Sequence, residues 1–321
     1  MKNIIKDPLP TTVISLCCEQ IRGGGEDGYA YAFDESGPGF IATFDGCGGM
    51  GAKKYKAMND QSGAKIASAL AGLVFDSFFA ADEFRFDGSD ARRLQRSCSD
   101  IFRQTNDSLK VPGELKIGGN LFKSIPTTAV VAAARAASKN EIDCEFLWAG
   151  DSRGFILDGK GIAQITTDDL ETEEDAFSNL RNDSKLSNVL NADQDFVLHE
   201  RILKLNTPVM VISATDGSFG YFSTPMEFEH ALLKTLAISA DSREWERNLE
   251  RTIRPYSGDD YTVVIAVYGF DSFSECKSFF GPRLRELEDK YISRLEGASE
   301  DELFSLWQSY KTDYYRWWNN K

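Results

Sequence analysis

Four aspartates stand where an apolar run meets a turn: Asp45 in FIATFDGCGG, Asp151 in LWAGDSRG, Asp216 in VISATDGSFG and Asp259 in SGDDYTVV, the last followed by Asp260. Glu26 and Asp27, in RGGGEDGY, add two carboxylates just before another short apolar stretch. A lone aspartate before glycine is ordinarily a hairpin residue. Recurrence changes that reading. Sheet geometry gathers the strand ends of one edge, and carboxylates gathered there repel unless a cation lies among them. Oxygen ligands without Cys or His select hard ions, and Mg²⁺ or Mn²⁺ suits a site of a few carboxylates with retained waters. Two such ions can share a water, lower its pKa and aim it at phosphorus. The chemistry on offer is hydrolysis of a phosphate ester. Arg22, four positions before Glu26, could grip two phosphate oxygens in a bidentate fork, although an arginine in a Gly-rich segment is otherwise a plain surface residue. RGGGEDG is neither G-x-G-x-x-G nor followed by a helical pattern, so it does not read as a nucleotide loop.

The elements that must position these residues are legible as changes of period. Short apolar or alternating runs at 12–17, 29–33 and 39–44 are separated by Gly, Asp and Ser and predict antiparallel strands. Helical periodicity predicts a helix over 54–81, with Ile66, Leu70, Leu73 and Phe75 to Phe79 on or near one face, and a second over 90–109. Strands are expected again at 127–133, 143–149, 153–157, 197–205, 208–214 and 261–268, and helices at 225–236 and 242–252. The polar, acidic stretch from Thr167 to Gln194 reads as a long surface excursion, of a length that is commonly functional. After it, Leu284, Leu287, Tyr291 and Leu295, then Leu303, Trp307, Tyr310, Tyr314 and Trp317, recur at helical spacing. These predict two amphipathic helices that either pack on the preceding domain or dock a partner. The expected division is a domain over 1–272 and a helical extension over 273–321.

Composition narrows the classes. A chain of 321 residues, 42% hydrophobic and 27% charged, can bury a sizeable core. A net charge of -14 opposes binding to nucleic acid or an anionic membrane, since both rely on Lys and Arg. Six cysteines without a CxxC pair point to neither zinc nor a disulfide framework. Two histidines, His199 and His230, leave little for a His-dependent triad. The opening MKNIIKDPLP has no run long enough for a signal peptide, and no later stretch approaches the roughly 20 apolar residues of a membrane span. The expected location is the cytoplasm.

In order and spacing, the segments resemble the metal-dependent Ser/Thr protein phosphatases of the 2C type, the PPM family, of bacterial kind. The resemblance runs from Arg22 to about Val267. It comprises R-x-x-x-E-D from Arg22 to Asp27, F-D-G-x-G-G from Phe44 to Gly49, T-T-A from Thr127 to Ala129, and G-D-S-R from Gly150 to Arg153. T-x-D from Thr166 to Asp168, T-D-G from Thr215 to Gly217 and D-x-x-T-V from Asp259 to Val263 complete it. Each piece is weak alone; the set in this order is specific. It implies an α+β fold, a central sandwich of two antiparallel sheets flanked by helices in four αββα layers, with the binuclear Mg²⁺ or Mn²⁺ site at one end. By the same resemblance, Asp45 bridges both metals, the Gly46 carbonyl binds one, and Asp216 and Asp259 bind the other. Glu26 and Asp27 act through water, Asp151 helps form a weaker third site, and Arg22 binds the substrate phosphate. The implied partner is a phosphorylated protein, plausibly paired with a Ser/Thr kinase.

The chain departs from the family pattern at four places. Cys47 stands where a histidine usually serves as the acid for the leaving alkoxide, so Cys47 is either that acid or a small packing residue. Pro126 replaces a Gly, Asp169 a His, and Asp260 an Asn; none of these removes an implied direct ligand. The Thr167 to Gln194 stretch falls at the family's flap. The alternative reading is a pseudophosphatase that uses the same fold as a binding module. An aspartyl-phosphate phosphatase would need D-x-D, and Asp45 is followed by Gly46 and Cys47.

Overall fold

Two five-stranded antiparallel sheets form the centre of the molecule. The computed structural model describes residues 9–34, 38–81, 84–110, 123–172, 174–182 and 184–318. The start of MKNIIKDPLP, through residue 8, and two positions of the acidic excursion, 173 and 183, lie outside the described residues. One sheet runs Thr12–Cys18 (β1), Tyr261–Tyr268 (β12), Val209–Ala214 (β11), Arg153–Asp158 (β8) and Gly161–Gln164 (β9). The other runs His199–Asn206 (β10), Glu141–Ala149 (β7), Ala129–Ser138 (β6), Gly39–Phe44 (β3) and Gly28–Ala32 (β2).

Period-2 alternation sorts the side chains of these strands. In β7, Cys144, Phe146 and Trp148 face the other sheet, where they join Ile41, Val130 and Val264. Leu147 and Ala149 point the opposite way, toward helices. That outer face is covered by Gly63–Ala80 (α1) and Asp90–Leu109 (α2), which bring Phe75, Phe78, Leu94 and Phe102. The outer face of the first sheet is covered by Pro225–Ile238 (α5), Ser242–Ile253 (α6), Phe273–Lys290 (α7) and Glu300–Tyr314 (α8). The result is the expected four-layer αββα sandwich.

Local chemistry explains the boundaries, including those the periodicity misplaces. Residues 54–62 are not α-helical and hold only a single 3₁₀ turn, Lys56–Met58. Lys54–Tyr55 (β4) pairs with Gln61–Ser62 (β5) around Asn59 and Asp60, whose φ values of 56° and 59° are left-handed, a region that short polar side chains tolerate. Ser62 then starts α1 by accepting the Lys65 N–H at 3.1 Å. Leu73, expected on the packed face of α1, is 67% exposed. By length and hydropathy α1 could cross a membrane, contrary to the expectation that no stretch would, yet half of it is buried beside β2 and β3. Strand β9 escapes the sequence because its four residues are too few to set a period.

The two C-terminal helices lie on the sandwich. Trp307, Tyr310 and Tyr314 are buried in the same core as α5. Arg283 of α7 holds Glu229 of α5 through two bonds of 2.7 and 3.0 Å, and the Tyr310 hydroxyl donates to the same carboxylate. The acidic excursion is less superficial than its polarity suggests. Its described residues include a short helix, Ala176–Asn179 (α3), and its last part is buried at Val189, Leu190 and Asn191. Leu190 exchanges two backbone bonds of 3.0 Å with Thr127, so that backbone is satisfied without a sheet.

Candidate metal centre

Register brings the carboxylates to one end of the sandwich. Gly28 pairs with Phe44, so Asp27 before β2 and Asp45 after β3 stand side by side. Ala214 pairs with Val263, which sets Asp216 after β11 near Asp259 before β12. Asp151 occupies the turn between β7 and β8, made tight by Gly150 at φ 100°, where a Cβ would lie 2.7 Å from the Thr128 side chain. Hydroxyls staple the two sheets beneath them: Thr43 meets Ser213 at 2.7 Å, and Thr215 donates to Asp27 Oδ2 at 2.9 Å.

Proximity and loss of water drive these groups toward their neutral forms. Burial pushes Asp27 up to about 7, the charges of Asp216 and Asp260 push the same way, and hydrogen bonds from Thr262 and Thr215 oppose them. Asp45 is held well above the usual carboxylate range by burial and then by Asp216, Asp27, Asp151 and Asp259. Asp151 is raised by burial and by Asp216 and Asp168. Asp216 is raised by burial and Asp259, against a hydrogen bond shared with Asp45. Asp259, at the exposed rim, moves up for lack of full hydration and because Asp260 is adjacent.

The donor set fits a hard cation. Asp151 Oδ1 is buried with no hydrogen-bond partner among the described residues. Buried Asp45 feels the charges of Asp216, Asp27, Asp151 and Asp259, Asp216 foremost, a repulsion that a metal ion among the carboxylates would turn into attraction. No imidazole is at hand: His199 Nε2 lies 2.9 Å from Asp169 and His230 Nε2 3.2 Å from Glu288. The Cys47 thiol is pushed well up by burial and by Asp45, Asp151 and Asp216, which disfavours thiolate ligation.

The remaining predicted residues surround this cluster. Glu26 accepts a hydrogen bond from the Ser62 hydroxyl and presses on Gly48, while its own N–H donates to Asp260 Oδ2 at 2.7 Å. Gly46 has no room for a side chain, since a Cβ would stand 2.6 Å from the Glu26 carbonyl oxygen and 2.8 Å from that of Ala64. Cys47 is buried with Sγ 3.8 Å from the Asp45 carbonyl oxygen. Arg22 is exposed and lines a cleft of about 510 Å³ with Asp27, Asp260, Lys65 and Arg254. Of the clustered carboxylates Asp27 alone lines this cleft, whose three cationic side chains also face Glu19, Glu250 and Asp260.

Several contributors carry no motif of their own. Lys65 reaches the Asp27 carbonyl at 3.2 Å, and Arg254 enters the cleft from the end of α6; both come from helix faces whose spacing signals only amphipathicity. The GDSR turn is fixed from the excursion: Arg153 forks onto Asp168 at 2.9 and 2.6 Å, and Asp169 accepts the Gly150 N–H at 2.9 Å. The substitution of Asp169 for histidine thus keeps a polar anchor at that turn.

No family model and no curated protein matches the chain by sequence. Solved structures do match. Serine/threonine phosphatase Stp1 from Staphylococcus aureus superposes with a TM-score of 0.58 at 16% identity, over 82% of this chain and 98% of that one. The Mycobacterium tuberculosis serine/threonine phosphatase PstP/Ppp gives 0.55 at 18% identity, over 81% and 99%. PppA of Pseudomonas aeruginosa, described as a key regulatory component of the T6SS, gives 0.56 at 17%, over 82% and 100%. The architecture of this chain is the fold of the bacterial serine/threonine phosphatases, spanned almost from end to end.

Proposed function

We infer that this protein is a metal-dependent phosphatase that removes phosphate from phosphoserine and phosphothreonine on other proteins. The observation that carries the reading is the convergence of Asp27, Asp45, Asp151, Asp216 and Asp259 from both sheets, with one buried oxygen of Asp151 left without a partner. On a fold shared with serine/threonine phosphatases, that cluster is a socket for divalent cations. Asp45 and the Gly46 carbonyl would hold two ions of Mg²⁺ or Mn²⁺, Asp216 and Asp259 would complete one of them, and Asp151 would serve a weaker third. Bound there, the ions supply an activated water and offset the charge of the phosphate.

The chain's own side chains do the rest. Arg22 forks onto the phosphate oxygens from the cleft it shares with Asp27. Glu26 and Asp27 hold the ions through water, their positions fixed by Ser62 and Thr215. Hydrolysis forms a bond from phosphorus to the water oxygen, breaks the ester bond and returns one proton to the serine or threonine oxygen. Cys47 Sγ keeps its proton in this environment and is the candidate donor. Residues 1–272 would carry the reaction and 273–321 brace it, with a Ser/Thr kinase supplying the substrate.

The test is turnover of an aryl phosphate and a phosphothreonine peptide in EDTA, in Mg²⁺ and in Mn²⁺. Activity that needs the ion supports the reading, and Cys47→Ser beside Cys47→His then addresses the acid. Ion binding by calorimetry without any turnover would instead favour the binding-module alternative.

A further inference from the structure

A second carboxylate cluster lies away from the strand ends, beneath the first turn of α2. Asp90 opens that helix, Glu145 comes from the middle of β7 and Glu200 from β10, and one oxygen of each falls within 4.8 Å of the others. Glu145 is four residues from the end of β7, about 13 Å along the strand from the turn that carries Asp151. It points to the same outer face as Leu147 and Ala149, and its neighbour across β6 is the fully buried Ala133.

The distribution of donors is uneven. Asp90 accepts the N–H groups of Arg85 and Phe86 at 2.8 Å on one oxygen and the Arg93 guanidinium at 2.6 Å on the other. Glu200, partly exposed, accepts the Ala91 N–H at 3.3 Å. Glu145 is 0% exposed, and among the described residues no donor reaches either of its oxygens. Its only polar neighbours in the cluster are the other two carboxylates. Arg135, on the adjacent strand, is taken up by Asp143 and lies over the Phe86 ring. A buried carboxylate with two empty acceptors in an apolar layer is strongly disfavoured. Three carboxylates with one guanidinium leave two negative charges, which a divalent ion balances. Oxygen ligands alone select a hard ion, and with Asp90 and Glu145 both fully buried there is little room for the retained waters that Mg²⁺ demands, which favours Ca²⁺.

We propose that Asp90, Glu145 and Glu200 bind a hard divalent cation, Ca²⁺ by preference, that fastens the start of α2 to β7 and β10, with water entering on the Glu200 side. The site is structural and separate from the candidate metal centre, so its test reads ion count and melting rather than turnover. In Asp45→Asn/Asp216→Asn protein, equilibrium dialysis against Ca²⁺ should leave one tightly held ion per chain. Adding Glu145→Gln should remove it, and Glu200→Gln should weaken it at least tenfold. Ca²⁺ should raise the melting temperature of the double variant and leave the triple variant unmoved. If the double variant folds poorly, Glu145→Gln in the otherwise unaltered protein should bind one Ca²⁺ fewer. Equal ion counts with and without Glu145→Gln overturn the proposal. So does a Glu145→Gln protein that melts higher than its parent in EDTA while the parent holds no ion there, which would make Glu145 a buried neutral acid.

Discussion

Taking the divalent ions away from the strand-end carboxylates should make the stability of the protein depend on pH in a direction opposite to ordinary acid unfolding. In EDTA, Asp27 must bear its burial and its anionic neighbours without help, and its carboxyl sits at about 7 against an ordinary 3.8. A carboxyl raised by folding contributes stability that is complete below the ordinary value and is lost as pH rises through the folded value. At about 1.4 kcal/mol for each tenfold, the climb from 3.8 to about 7 corresponds to roughly 4 kcal/mol. Between about pH 5 and pH 8, roughly two of those three tenfold steps take effect, about 2.7 kcal/mol, which with an unfolding entropy of about 2.1 cal/mol/K per residue over 321 residues is on the order of 4 °C in melting temperature. Asp45 and Asp151 move in the same direction and add to the effect. Groups lowered by folding, such as Asp175 and Glu286, act below their ordinary values of 3.8 and 4.5 and leave the window clear. Calorimetric melts in EDTA from about pH 5 to pH 8 should therefore fall with pH, Mn²⁺ should abolish the fall, and Asp27→Asn should flatten it. A melting temperature that is level or rises over this range in EDTA would refute the reasoning.

Other perturbations probe the same arrangement from different sides. Asp216→Asn should cut hydrolysis by several orders of magnitude with an unchanged circular dichroism spectrum, because its loss removes a ligand from a surface that needs fewer charges, not more. Arg22→Ala should raise KM for a phosphopeptide about 10- to 100-fold, from roughly 1.5–3 kcal/mol of charge-assisted hydrogen bonding, with ion affinity by calorimetry unchanged. Trp307→Ala should destabilise the fold by about 3–5 kcal/mol in urea titration, since the ring is fully buried and its indole N–H donates to Asp175 at 2.9 Å. A chain ending near Ser272 should be insoluble, because it would bare the apolar face of α5 now covered by Leu284, Leu287 and Tyr310.

What the sequence discloses depends on how far apart the partners lie. Asp45, Asp151 and Asp216 are legible because an apolar run that stops at an Asp turn marks a strand end, and strand ends of one edge meet by geometry alone. Helices α5 and α6 are legible for a similar reason, since the Thr224 and Glu227 capping box and the Asp241 cap fix their starts locally. The hairpin at 54–62 is missed because its two left-handed residues override a helical period. The burial of 189–191 is missed because the apolar content of that short stretch has meaning only beside Thr127. Nothing in the sequence joins Asp90, Glu145 and Glu200, which meet through a strand pairing and a helix crossing. Lys65 and Arg254 likewise become neighbours of Arg22 only in three dimensions.

The excursion from Thr167 to Gln194 is tied at both of its sides. Toward the metal centre, Asp168 and Asp169 hold Arg153 and the Gly150 N–H. Toward the C terminus, Asp175 takes Trp307 and Lys311 at 2.9 and 2.7 Å, and the Ala176 N–H donates to the Tyr315 hydroxyl at 2.6 Å. A segment pinned this way behaves as a strut rather than a hinged cover: swinging it aside would break several buried bonds together, and each break would be felt at both ends. A phosphorylated loop should then approach from the open flank where Arg22 stands, and the breadth of substrates accepted would be set by a wall that does not yield.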